Sequence, residues 1–127
     1  MISAVRRSGR APQVAAWLDG QPEDTLFLSV VTLGEIERGI HRQQSTDSAF
    51  AADLRTWLDR TTTLFADRIL PFDAADARIW GQLSARLGHS GADLLIAAQA
   101  LARDATVVTR NTADFAPTGV RLHDPFD

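Results

Sequence analysis

A chain of 127 residues that holds neither cysteine nor lysine excludes a good deal before any motif is read. Without cysteine there is no disulfide framework, thiolate metal site or thiol nucleophile, and without lysine no Schiff base and no P-loop; the missing lysine also argues against a phosphorylated receiver. The formal charge of −3, made of 13 Arg against 13 Asp and three Glu, predicts no broad basic surface of the kind that announces a nucleic-acid binder.

In chain order, "APQVAAWLDG" (11–20) predicts a short helix, with Pro12 in its first turn and Gly20 just past its end. "TLFLSVV" (25–31) is a short apolar, partly β-branched run and predicts a buried strand. From Thr32 the pattern turns helical, with Leu33, Ile36 and Ile40 on one face. "TDSAFAADLRTWLDRTTTLF" (46–65) predicts a longer amphipathic helix capped by Thr46 or Asp47, with Phe50, Leu54, Trp57 and Leu58 inward. "RILPF" (68–72) reads as a strand, and Asp73 then caps a helix carrying Ala77, Trp80, Leu83 and Leu87. "GADLLIAAQALARD" (91–104) is an apolar helix opened by Ser90, and it feeds the strands "ATVVT" (105–109) and "GVRLH" (119–123).

Strands alternating with helices predict an α/β fold, a parallel β-sheet flanked by helices. No repeat, linker or low-complexity segment divides the chain, so residues 1–127 read as a single domain. No apolar stretch has the length to cross a bilayer and no signal-peptide pattern opens the sequence, which predicts a cytoplasmic protein.

In parallel sheets, ligands gather outside the carboxyl ends of the strands. That rule brings forward Glu35, after the 25–31 strand, and Asn111 and Asp114, after the 105–109 strand. Asp93 joins them from the start of a helix, where unpaired N–H groups and the helix dipole favour an anion. Taken singly, each acid has a plain structural explanation: Thr32-x-x-Glu35 and Ser90-x-x-Asp93 both match a capping box, and Asp114 suits a solvated turn. Taken together, three acids on one rim repel one another unless a cation lies between them. Hard divalent ions bind through such oxygens and can activate water against a phosphodiester.

The sequence resembles the PIN-domain family, in particular the VapC/FitB-like toxins of bacterial toxin–antitoxin pairs. "FLSVVTLGEIERGI" is similar to the family's strand and helix with a metal-site Glu, here Glu35, and "ADLLIAAQALARDATVVTRNTADF" to its D-x-LIAA helix, strand and T-R-N/D turn, whose first Asp is Asp93. "ILPFDAADARIWGQL" and "GVRLHDPF" extend the likeness over nearly the whole chain. The resemblance implies a PIN-like three-layer fold and a Mg²⁺-dependent ribonuclease, with Mn²⁺ as the other fitting ion. It implies metal ligands at Glu35, Asp93 and Asp114, ranked just ahead of Asn111 for the fourth position, and Thr109 as a holder of bound water. It also implies an RNA substrate, a cognate antitoxin and a homodimer. The family opens with an apolar strand ending in an Asp that precedes a segment like "VISELRR". This sequence starts at "MISAVRR", so the resemblance implies that the first strand and its Asp are lacking from it.

That departure keeps a second class of function open: a catalytically impaired module that only pairs with an antitoxin or a second protomer. A third is a metal-free domain in which every acid is a cap. Arg6, Arg7, Arg10, Arg38, Arg42 and Arg110 are candidates for RNA phosphates. Glu37 points away from Glu35 on a helix and reads as a surface residue. Trp17, Trp57 and Trp80 read as core or dimer contacts, and His41, His89 and His123 show no metal-ligand spacing.

Overall fold

Ser29 decides where the first described helix begins. A computed structural model describes residues 25–125; the helix expected at 11–20, with Trp17, and the arginines at 6, 7 and 10 lie outside them. Strand β1 is only Leu28–Ser29, and helix α1 (Val30–Gln43) follows at once, because the Ser29 hydroxyl accepts the Val31 N–H at 3.1 Å. The expected strand over 25–31 therefore loses both valines to the helix, and Ser29, not Thr32, is the N-cap. Thr32, Ile36 and Ile40 form the buried stripe of α1.

Helix α2 (Ser48–Leu64) starts at Asp47, whose carboxylate accepts the Phe50 N–H at 3.0 Å. Its Ala51, Leu54 and Leu58 meet Ile36 and Ile40 of α1 in one core cluster, with Leu33, Phe50 and Trp57 packed at its edge. Strand β2 is Ile69–Leu70, shorter than expected, and α3 (Ala74–Leu87) opens with a reciprocal capping box between Asp73 and Asp76. Gly88 ends α3 at φ 79°, a left-handed conformation that glycine adopts without a Cβ penalty.

Helix α4 (Ala92–Ala102) is the spine of the molecule. Leu94, Ile96, Ala97, Ala98, Gln99 and Ala100 are all buried, more than one face can account for, so α4 runs through the interior. It packs against α3, and its Ile96, Ala97, Ala98 and Ala100 join Leu83, Val107, Phe115 and Val120 in the larger core cluster. Trp80 borders that cluster, as expected of a core tryptophan. Strand β3 (Thr106–Val108), the short helix α5 (Thr112–Phe115), a 3₁₀ turn (Ala116–Thr118) and strand β4 (Arg121–His123) complete the described chain.

The strands are parallel, as alternation with helices requires. Leu28 and Ser29 pair with Ile69 and Leu70, while Thr106, Val107 and Val108 pair with Arg121, Leu122 and His123. The expected sheet is thus present, among the described residues, as two short two-stranded ladders. The wide opening between them is lined by Phe27 and Leu70 on one side and by Thr106, Val108 and His123 on the other.

A buried polar hub ties these parts together. Gln99, fully buried on α4, accepts the Ser29 hydroxyl and donates to the Leu70 and Pro71 carbonyls at 3.1 and 2.9 Å. One turn on, Arg103 donates to the fully buried Asp76 carboxylate at 2.7 Å and to the Gln99 carbonyl at 2.9 Å. The start of α1, the end of β2 and the start of α3 are thereby fixed to one helix.

Candidate active site

Two helix starts face each other across a small cleft beyond the carboxyl ends of β1 and β3. Its wall is formed by Thr32 and Glu35 from the first turns of α1, Asp93 from the first turn of α4, and Asn111 after β3, over a floor of Ile36, Ile96 and Phe115. Thr32 and Glu35 are three residues apart on a helix and so share one face. The Ser29–Gln99 bond sets α1 and α4 in their relative places, so the cleft is built by residues that do not enter it.

Glu35 and Asp93, predicted from opposite ends of the sequence, line this one cleft, and Asn111 lines it with them. Asp114 is exposed on α5 outside that lining, yet close enough for its charge to act on Asp93. Burial raises the Asp93 carboxyl above its ordinary value, the negative charge of Asp114 raises it further, and His89 works in the opposite direction. A carboxylate that is half-buried beside another has reason to hold a cation.

The expected capping boxes are absent. The N-cap of α4 is Gly91, with no side-chain cap bond, and Ser90 is exposed. His89 takes part in its place, its Nδ1 accepting the Gly91 N–H at 3.3 Å. Asp93 is therefore not spent on a reciprocal cap. Glu35 is not paired with Thr32 in one either, because Ser29 caps α1. Thr109 is fully buried, and its hydroxyl accepts the Asn111 N–H at 3.0 Å, fixing the turn that presents Asn111.

Thr32 is the residue that sequence reasoning placed in the wrong role. It is buried, and its Oγ1 has no hydrogen-bond partner among the described residues. An orphaned buried hydroxyl costs about 1–3 kcal/mol. The available signal was its position one turn before Glu35, which the capping-box reading absorbed.

Glu37 behaves as expected, near His41 and Arg55 at 3.9 Å each on the exposed side of α1. Arg38, Arg42 and Arg110 are exposed.

Among the described residues, no three carboxylate or imidazole groups come close enough together to hold a metal ion by themselves. The cleft still suits a hard divalent ion. Its donors are all oxygens, two of them carboxylates, and Mg²⁺ commonly takes one or two carboxylates and keeps several waters. The cleft volume of about 90 Å³ leaves room for such waters.

Comparison with known proteins places these features in company. The PIN-domain family model matches residues 1–119. Plasmid stability protein StbB of Pseudomonas syringae pv. tomato is 33% identical over 100% of this chain and 94% of its own. VapC ribonuclease Y4jK of Sinorhizobium fredii is also 33% identical, with the same coverage of both chains. Toxin FitB of Neisseria gonorrhoeae is 32% identical over 99% of this chain and 94% of its own. Among solved structures, FitAcB from Neisseria gonorrhoeae is similar at TM-score 0.80 and 31% identity, covering 99% of each chain. VapBC-1 from nontypeable Haemophilus influenzae, at TM-score 0.73 and 19% identity over 99% of this chain and 96% of its own, shares the fold.

Proposed function

The chain belongs to the PIN-domain family, and from that footing we propose that it is a metal-dependent endoribonuclease, the toxin of a toxin–antitoxin pair. The observation that carries the proposal is the shared cleft of Glu35, Asp93 and Asn111, brought together from three elements at the carboxyl ends of parallel strands. Relatives named as a VapC ribonuclease and as a FitB toxin support the same reading.

In this proposal Glu35 and Asp93 hold Mg²⁺, or Mn²⁺ in its stead, Asp114 adds negative charge at the rim, and Asn111 offers a neutral amide oxygen. When bound, the ion neutralises phosphodiester charge and makes water a better nucleophile. The protein's own part is geometric. Gln99 and Ser29 hold the two helix starts at a fixed separation, and Thr109 holds Asn111. The exposed Arg38, Arg42 and Arg110 draw the RNA backbone toward an otherwise acidic mouth.

The proposed partners are RNA, a cognate antitoxin and a second copy of the chain; FitAcB and VapBC-1 are among the solved structures with similar chains. No helix among the described residues is long and apolar enough to cross a membrane, and the proposed location is the cytoplasm.

A second reading, a catalytically impaired module that only pairs with an antitoxin or a protomer, is favoured by one observation. The described residues supply two carboxylates to the cleft and no cluster of three. One experiment separates the two readings. The purified protein is incubated with RNA in Mg²⁺, with and without chelator, beside Asp93→Asn. Cleavage that needs the ion and Asp93 supports the enzyme, whereas unchanged RNA in every lane, with intact antitoxin binding, supports the pairing module.

A further inference from the structure

A threonine inside a helix can place its hydroxyl on the carbonyl four residues back. Thr56, Thr62 and Thr63 of α2 all do so, at 3.1, 2.7 and 3.0 Å. Thr32 does not: its Oγ1 is buried and without a hydrogen-bond partner among the described residues, on the wall of the cleft that holds Glu35 and Asp93. A hydroxyl is both donor and acceptor, whereas the two ionised carboxylates only accept. A water between them gives its two hydrogens to the carboxylates, and of these three side chains only the hydroxyl can donate to its oxygen.

We infer that Thr32 is a positioning residue of this site, its hydroxyl completing the hydrogen bonding of a water held between Glu35 and Asp93. The inference rests on the nuclease reading above. The two O–H groups of that water donate to the Glu35 and Asp93 carboxylates and its oxygen accepts the Thr32 hydroxyl, which leaves one lone pair directed at an incoming phosphate. The Thr32 proton stays in place, and no bond is made or broken at this residue. The cleft supplies the polar partners an ordered water requires, in Thr32, Glu35, Asp93 and Asn111.

The test uses Mn²⁺ as probe, with binding followed by calorimetry and by electron paramagnetic resonance, on wild type, Thr32→Val, Thr32→Ser and Asp93→Asn. Valine keeps the volume and removes the hydroxyl, so metal-free Thr32→Val should melt at or above the wild-type temperature. Loss of an outer partner of this kind weakens metal binding or activity about 10- to 100-fold. Thr32→Val is therefore expected to bind Mn²⁺ about 10-fold more weakly and to lower kcat for RNA cleavage with KM little changed. Thr32→Ser should restore both.

Equal Mn²⁺ affinity in wild type and Thr32→Val, with Asp93→Asn weakened, overturns the role of Thr32 and leaves the nuclease reading standing. Equal affinity in wild type and Asp93→Asn overturns the metal site itself, and Thr32 with it. Weak binding by both Thr32→Val and Thr32→Ser also counts against the inference, because the hydroxyl is then not what matters.

Discussion

Asp93 is half-buried and faces the charge of Asp114, and both conditions favour its protonated form. With its pKa above the unfolded value, ionised Asp93 costs the metal-free fold stability at neutral pH, a cost relieved as pH falls through the folded value. Asp93→Asn should therefore melt at or above the wild-type temperature without metal while losing ion-dependent cleavage by about 100-fold or more. In the proposed metal site the same shift would set the acid limb of binding. A ligand must lose its proton first, so affinity should fall at a higher pH than an ordinary carboxylate would give. Asp114→Asn removes one cause of the shift, and its acid limb should move to lower pH; an unmoved limb in a metal titration would show that the two acids do not communicate.

At the scale of elements, Gln99 is the part with most attached to it. Gln99→Leu leaves the Leu70 carbonyl and the Ser29 hydroxyl without this partner and loosens the cap of α1. We expect it to cost roughly 2–4 kcal/mol in denaturant unfolding. The Arg103–Asp76 pair beside it is a second fixture. Burial alone would raise the Asp76 carboxyl, but hydrogen bonds from Arg103 and the Asp73 N–H, with the Arg103 charge, outweigh it and hold the carboxyl below its ordinary pKa. Because the folded value is the lower one, that stabilisation is complete above the unfolded value and is lost as pH falls through the folded one. Arg103→Met strands a buried carboxylate and should cost about 3 kcal/mol at neutral pH. These elements were unequally legible. Asp47 and Asp73 announce their helices because a cap is a local signal. The start of α1 was misread because Val30 and Val31 look like strand, and Gln99, the partner of Ser29, lies 70 residues away. His89 was missed for a similar reason, since nothing in the sequence says that an imidazole will take the Gly91 N–H.

For the molecule as a whole, the parallel α/β class was readable from the alternation of strands and helices. So was the meeting of Glu35 and Asp93, because both lie just beyond predicted strand or helix boundaries. The weight of Asn111 against Asp114 was not, because whether the residue before a four-residue helix or one within it enters the cleft depends on a turn held by Thr109. RNA binding belongs to this scale too, since it sums contacts over a surface. If Arg38, Arg42 and Arg110 each neutralise one phosphate, the logarithm of RNA affinity should fall with the logarithm of salt at a slope of roughly −2. A flat response in filter binding would remove these arginines from the interface.

The narrowness of the cleft has a consequence for what the protein can distinguish. A space of about 90 Å³, the volume of roughly three waters, suits an ion and a phosphate oxygen better than a whole nucleobase. The enclosed part of the cleft is suited to weighing charge and backbone shape more than the identity of a base. On the proposed function, the site of cutting would then follow which stretch of the RNA backbone is unpaired and bent enough to reach the cleft. Cleavage maps of random-sequence RNA should show loops and bulges favoured with little base preference at the cut itself, and selectivity becomes a property of the folded target more than of the blade.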